Sequence, residues 1–193
     1  MKGLGRPRGV DDAGLISRSL EDGRWFEVLF DRHYAAIHRY LSARAGLAAA
    51  EDLASETFTV AFRRRGSYDL SRPDAAPWLY GIALNLLYRH RRTEGTRHRA
   101  YALVGAGGDE PTARAGEMFD TNGPVSLALR ALSVRDRDLI VLFAWAELTY
   151  EQLGVACGLP VGTVRSRLSR IRAQLRDELS ASEPNGIDQR TSP

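Results

Sequence analysis

The chain has 193 residues, 44% hydrophobic and 26% charged, with a net charge of +3 from 27 Lys and Arg against 24 Asp and Glu. That length holds one ordinary domain or two small ones, and the composition excludes a chain unfolded throughout. The single cysteine, Cys157, excludes an internal disulfide and a Cys-rich zinc site, and no apolar run approaches the roughly 18–20 residues of a membrane span. The opening MKGLGRPRGVDDAG has no apolar stretch of the kind a secretion signal needs, so a soluble, cytoplasmic protein is expected. Lys2 is the one lysine. The remaining cations are arginines, whose rigid fork of donors suits phosphate and guanine.

In chain order, residues 1–17 are polar and expected to be disordered. From Trp25, Phe26, Leu29, Phe30, Tyr34, Ile37 and Leu41 recur at helical spacing until Gly46. A second helix is predicted over 51–65, with Leu53, Thr57 and Val60 on one side and Phe58 and Phe62 widening it. RGSYDLSRPDAAP then breaks the pattern with a glycine and two prolines. A third helix, about 76–92, turns Leu79, Ile82, Ala83 and Leu86 inward. Three such helices can close a small bundle, assigned to 18–95. Residues 96–123 are rich in Gly and Ala, carry Asp109, Glu110, Glu117 and Asp120, and read as a flexible linker. Helical periodicity returns over 125–131, 134–146, 150–157 and 161–179, with Ser133/Asp136 and Thr149/Gln152 as caps closing on their third residue. The second unit is therefore 124–179, and the tail 180–193 is expected to be disordered. The fold class is all-α, two small helical domains joined by a linker.

The stretch LPVGTVRSRLSRIRAQL carries arginines but no acid, unlike an ordinary solvated helix face. With TYEQLGVACG before it, it reads as helix, tight turn, helix: Gly158 supplies a left-handed cap and Pro160 stands at the start of the next helix. Val164, Leu168, Ile171 and Leu175 fall in one sector and form its buried face. Gly162, Ser166, Ser169 and Ala173 lie opposite, flanked by Arg165 and Arg170. Small residues between cations suit a helix seated in a DNA major groove. Arg167, nearer the core boundary, is assigned to packing or backbone contact. A helix-turn-helix alone does not identify a function.

The stretch from LSVRDRDLIVLFAWAELTYEQL to RIRAQLRDEL resembles region 4 of the bacterial extracytoplasmic-function (ECF) sigma factors of the sigma-70 family. AEDLASETFTVAFRR with PWLYGIALNLLYRHRR resembles region 2 of the same family. The resemblance covers about 24–95 and 125–178. It implies a subunit that binds core RNA polymerase and directs it to a subset of promoters. Region 4 would read the −35 element through Thr163, Arg165, Ser166, Ser169 and Arg170. Region 2 would read the −10 element through Asn85, Arg89, His90, Arg91 and Arg92, with Tyr68 and Trp78 as stacking candidates for a flipped base or as anchors of the loop. Asp52, Glu56, Arg63, Arg64 and Arg65 match the surface that grips the β′ clamp helices. The β flap would meet an apolar surface of region 4 that includes Phe143. The acidic linker resembles the segment that threads toward the catalytic cleft. Family membership also suggests an anti-sigma factor as a partner. Gly154, Ala156 and Cys157 depart from the family pattern and imply a loosely packed first helix of the motif; Phe62 stands where Trp is frequent.

No enzyme is expected. His33 and His38 are five apart and cannot readily share a metal, and no HExxH, phosphate loop or CxxC is present, so no cofactor or metal is assigned. Asp52 and Glu56 share a face without a nucleophile or ligand beside them. Cys157 is expected to be a packed residue rather than a redox sensor. The alternative to a sigma subunit is a helix-turn-helix regulator that binds DNA without polymerase; a third reading is a degenerate module that binds polymerase without reading promoters.

Overall fold

A computed structural model describes the backbone of residues 9–103 and 123–182, and the side chains of 9–96 and 123–180. The described residues form eight α-helices and a short 3-10 turn, with no strand among them. The linker expected over 96–123 falls outside the described residues from 104 to 122, and the tail does so from 183.

Helix α1, Asp12–Ser19, occupies a segment expected to be disordered up to residue 17. Asp11 caps it, accepting from the Gly14 N–H, and Leu15 and Ile16 are wholly buried. Two apolar side chains in a polar stretch give little periodicity to read. Their burial, together with the tie from the Asp12 N–H to the Pro73 carbonyl, makes the segment helical. Helices α2 (Trp25–Ala45) and α3 (Leu47–Arg64) meet at Gly46, so α3 begins four residues before the expected Glu51. Helix α4, Ala76–Leu103, runs on past the expected end near Arg92. The Thr93 and Thr96 hydroxyls donate back to the Arg89 and Arg92 carbonyls, so both are satisfied inside the helix. Leu29, Ile37 and Leu41 of α2, Ala54 and Phe58 of α3, and Leu79, Ala83 and Leu87 of α4 form the core of this bundle.

The second unit comprises α5 (Pro124–Ala131), α6 (Val134–Trp145), α7 (Tyr150–Cys157) and α8 (Val161–Ser182). Both expected caps form. The Ser133 hydroxyl accepts from the Asp136 N–H, and Thr149 with Gln152 makes a reciprocal capping box. Leu139, Leu142, Leu153, Val164, Leu168 and Ile171 are buried together.

The expectation of a loose α7 is corrected here. A Cβ at Gly154 would lie 2.8 Å from the Leu159 carbonyl oxygen, and the Leu159 N–H donates to the Gly154 carbonyl at 2.9 Å. Gly158, at φ 65°, supplies the left-handed turn between them. Glycine at 154 is what lets the chain fold back this tightly, and α7 is well seated, with Leu153 and Ala156 buried.

The two units touch: α4 lies on α7, and their buried residues form one continuous cluster. Among the described residues no helix is long and apolar enough to cross a membrane.

Candidate nucleic-acid interface

Helix α8 presents the surface its periodicity implies. Val164, Leu168 and Ile171 are buried, while Gly162, Arg165, Ser166, Ser169, Arg170 and Ala173 are exposed and Thr163 is half-buried. Arg167 points the other way: its guanidinium bonds the Asp136 carboxylate, with Nε at 2.9 Å and Nη2 at 2.7 Å. Asp136 also accepts from the Ser133 hydroxyl and lies 3.8 Å from Arg170 Nη2. Partial burial would raise this carboxyl, but the bonds from Ser133 and Arg167 and the charge of Arg170 hold it below the ordinary carboxylate range. One carboxylate at the start of α6 therefore fixes the roll of α8 and steadies one of its outward cations. Arg172 covers the half-buried Phe143 ring, 4.8 Å from its centroid.

On the first unit, α3 and α4 frame a groove of about 570 Å³ lined by Val60, Arg64, Ile82, Asn85, Leu86, Tyr88, Arg89 and Arg92. Asn85, Arg89 and Arg92 are exposed there, and Glu56 stands 4.0 Å from Arg89 across the groove. His90 is half-buried. Asp52, Glu56, Arg63 and Arg64 are exposed along α3, forming one mixed-charge face beside the groove.

Three expected site residues are placed differently. Tyr68 is buried, and its hydroxyl donates to the Arg72 and Asp74 carbonyls at 2.7 and 3.0 Å. Burial pushes this phenol up to about 12. Tyr68 thus anchors the loop from inside and has no face free for a base; Trp78, half-buried with its ring 5.0 Å from Tyr68, remains at the surface. Arg65 lies over the Phe62 ring at 3.8 Å and donates to the Ser19 carbonyl, tying the end of α3 to α1 rather than facing a partner. Arg91 donates to the Asp138 carboxylate at 3.2 Å and to the Arg44 carbonyl at 3.0 Å, so it is engaged inside the chain instead of facing phosphate.

Sequence reasoning missed three charged residues that organise this surface. Asp138 is buried between the units and accepts from Arg44 Nε at 2.6 Å. Asp74 accepts from the Ala76 N–H at the start of α4 and from Gln152 Nε2 of α7 at 2.8 Å. Asp12 accepts from the Ala75 N–H at 2.9 Å, pairs with Arg32, and meets His33 Nε2 at 2.7 Å. Burial would raise the Asp12 carboxyl, but these bonds and the His33 charge together hold it below the ordinary range. Asp12, His33 and Asp74 place one ligand atom each within 4.8 Å of one another, yet their oxygens are taken by protein donors. No periodicity marks such residues: each has a partner distant in sequence, visible only once the helices are assembled.

Residues 29–97 match the sigma-70 region 2 family and residues 123–175 match the sigma-70 region 4 family. The chain is 27% identical over 174 residues to the ECF RNA polymerase sigma factor RpoE of Cereibacter sphaeroides, covering 86% of this chain and 93% of that one. It is 31% identical over 166 residues to the RNA polymerase sigma factor CarQ of Myxococcus xanthus, covering 82% and 91%. Its structure is similar to that of CnrH in complex with the cytosolic domain of CnrY, with a TM-score of 0.64 at 25% identity over 89% of this chain and 99% of that one. The same fold occurs in the sigma factor RpoE in complex with the anti-sigma factor NepR from Bartonella quintana, with a TM-score of 0.61 at 24% identity over 82% and 98%. The fold and both motif blocks therefore define a member of the sigma-70 family of RNA polymerase sigma factors. Within that family the chain belongs to the extracytoplasmic-function group.

Proposed function

We propose that this chain is an alternative sigma subunit that joins bacterial core RNA polymerase and directs initiation at promoters it reads at two elements. The observation that carries the reading is the outer face of α8 from Val161 to Leu175, which has no acidic side chain and is held at a fixed roll by Arg167 and Asp136, on the same chain as the α3/α4 groove. Thr163, Arg165, Ser166, Ser169 and Arg170 enter the −35 major groove, where arginine can grip guanine O6 and N7 bidentately. Asn85, Arg89, His90 and Arg92 line the path of the −10 strand, and Trp78 offers a ring on which an unstacked base can rest. Tyr68 supports the loop beneath them.

Strand opening by this device needs no covalent step. Phosphate contacts position the DNA and release counterions, and capture of unstacked bases draws the duplex open. The exposed α3 face, with Asp52, Glu56, Arg63 and Arg64, engages the β′ clamp helices, and the Phe143 side of region 4 meets the β flap. An anti-sigma factor is proposed as a further partner, since the structurally similar RpoE was solved in complex with the anti-sigma factor NepR.

Multi-round transcription with purified core polymerase on a pool of host promoter fragments tests the reading. New transcripts from discrete starts that share spaced −35 and −10 sequences are expected. DNA binding without polymerase and no new transcript would make the chain an ordinary regulator; polymerase binding with no transcript would make it a non-reading module.

A further inference from the structure

The loop that leads into α4 is gripped through alternate backbone groups. The Tyr68 hydroxyl donates to the carbonyls of Arg72 and Asp74. Asp12, the first residue of α1, takes the groups next to them. Its N–H donates to the Pro73 carbonyl at 3.0 Å, and its carboxylate accepts from the Ala75 N–H at 2.9 Å. The tip of the loop closes on itself through Asp69, which accepts from the Ser71 N–H and hydroxyl and from Arg72 Nε. Asp12 therefore holds the loop at its exit, where the chain enters α4.

That exit sets the first turn of α4. The Ala75 carbonyl accepts from the Leu79 N–H at 3.0 Å, and Asp74 caps the Ala76 N–H. Pro77 has no backbone donor to satisfy. Trp78 is the third residue of the helix, so its ring is carried by the turn whose leading residue Asp12 fixes.

Asp12 is itself braced from α2. Arg32 pairs with one carboxylate oxygen and His33 Nε2 meets the other at 2.7 Å, while a second Arg32 nitrogen donates to the Val10 carbonyl at 3.1 Å. The Asp12 side chain is only 4% exposed. Closing the start of α1 does not require this cluster, because Asp11 already caps it. Burying a carboxylate costs desolvation that its partners roughly offset, so what the cluster supplies is a fixed geometry rather than a large gain in stability.

We propose that Asp12 is a positioning residue for −10 recognition: braced by Arg32 and His33, it fixes residues 73–75 and so aims the first turn of α4, which carries Trp78, at the unstacked base. This rests on the −10 role given to Trp78 above. Asp12 touches no DNA and acts through that ring.

The test uses holoenzyme reconstituted with full-length wild type, Asp12→Asn, Arg32→Met, Trp78→Ala and the double variants with Trp78→Ala. Circular dichroism selects those that keep wild-type helicity. Arg32 is exposed, so Arg32→Met serves if Asp12→Asn does not fold. Two fluorescent probes are compared. One carries the −35 duplex and a single-stranded non-template −10 segment from a promoter recovered by transcription; the other ends before the single strand. Trp78→Ala should weaken the first probe at least about fivefold, as loss of a stacked base does. Asp12→Asn should weaken it about three- to tenfold and Arg32→Met about twofold or more, with the second probe unaffected. Each double variant should bind within about twofold of Trp78→Ala alone, because a residue that acts through the ring has nothing left to position.

Wild-type binding by Asp12→Asn and Arg32→Met, beside a weakened Trp78→Ala, would overturn the positioning role and leave the −10 assignment standing. Losses that multiply in the double variants, or that appear equally on the probe without the single strand, would overturn it as well, since a merely structural residue behaves that way. If Trp78→Ala itself binds like wild type, the −10 assignment of the ring fails and the positioning role fails with it.

Discussion

Replacing Gly154 by alanine separates local helix propensity from tertiary geometry, because the two predict opposite signs. In an ordinary helix interior the change stabilises by about 1 kcal/mol. Here the added methyl would stand 2.8 Å from the Leu159 carbonyl oxygen, which belongs to the backbone of the turn and cannot swing aside. Relieving it means spreading the turn, at the ~1–3 kcal/mol typical of overpacking. The Leu159 N–H bond to the Gly154 carbonyl would weaken as well, a further loss of up to about 1 kcal/mol. The balance is a net loss of about 1–2 kcal/mol. Gly162→Ala is the internal control: no atom lies within 4 Å of a Cβ there, so the propensity gain should appear uncancelled. Thermal unfolding followed by near-ultraviolet circular dichroism reads both, since 1 kcal/mol moves the midpoint of a small domain by about 4–8 °C. Gly154→Ala should melt lower than wild type and Gly162→Ala higher. A rise in both would refute the steric account of the turn.

Asp136→Ala should cost about 1–3 kcal/mol by leaving the half-buried Arg167 without its acceptor, and should weaken −35 duplex binding in a fluorescence titration although Asp136 touches no DNA. Tyr68→Phe should lower stability by about 0.5–1.5 kcal/mol in urea unfolding through loss of the bonds to the Arg72 and Asp74 carbonyls, while promoter opening at saturating protein stays intact. The lowered carboxyl of Asp12 sets the sign of an acid effect. A folded-state pKa below the unfolded value gives stability that is fully present above about pH 4 and lost as pH falls through the folded value. Urea midpoints measured from pH 6 downward should therefore fall more steeply in wild type than in Asp12→Asn.

Much of this fold could be read from the chain because its signals are local. The N-cap at Ser133, the capping box at Thr149, the glycine after Cys157 and the apolar spacing through Val164, Leu168 and Ile171 each act within a turn or two, and helices form where they point. The outward face of α8 follows from the same periodicity. Helix α1 was not legible, since Leu15 and Ile16 have meaning only against a core supplied by later segments. Gly154 looked like a defect in a helix until the position of the Leu159 carbonyl gave it a reason. Arg91 and Arg92 look alike in the sequence. Only assembly shows one bonded to Asp138, 47 residues away, and the other exposed. Tyr68 could equally have stacked on a base or anchored its loop, and the two carbonyls within reach of its hydroxyl decide for the anchor.

The central claim, that α8 and α4 read two separate promoter elements in one complex, is tested most directly by crossing protein variants with base substitutions. On a promoter transcribed by the reconstituted holoenzyme, every base of both elements would be changed in turn for wild type, Arg165→Ala and Asn85→Ala. The account predicts that Arg165→Ala flattens the preference at one −35 position by about 1–3 kcal/mol and leaves the −10 profile intact, with Asn85→Ala doing the reverse. Profiles that keep their shape in both variants, or that change at both elements together, would contradict it.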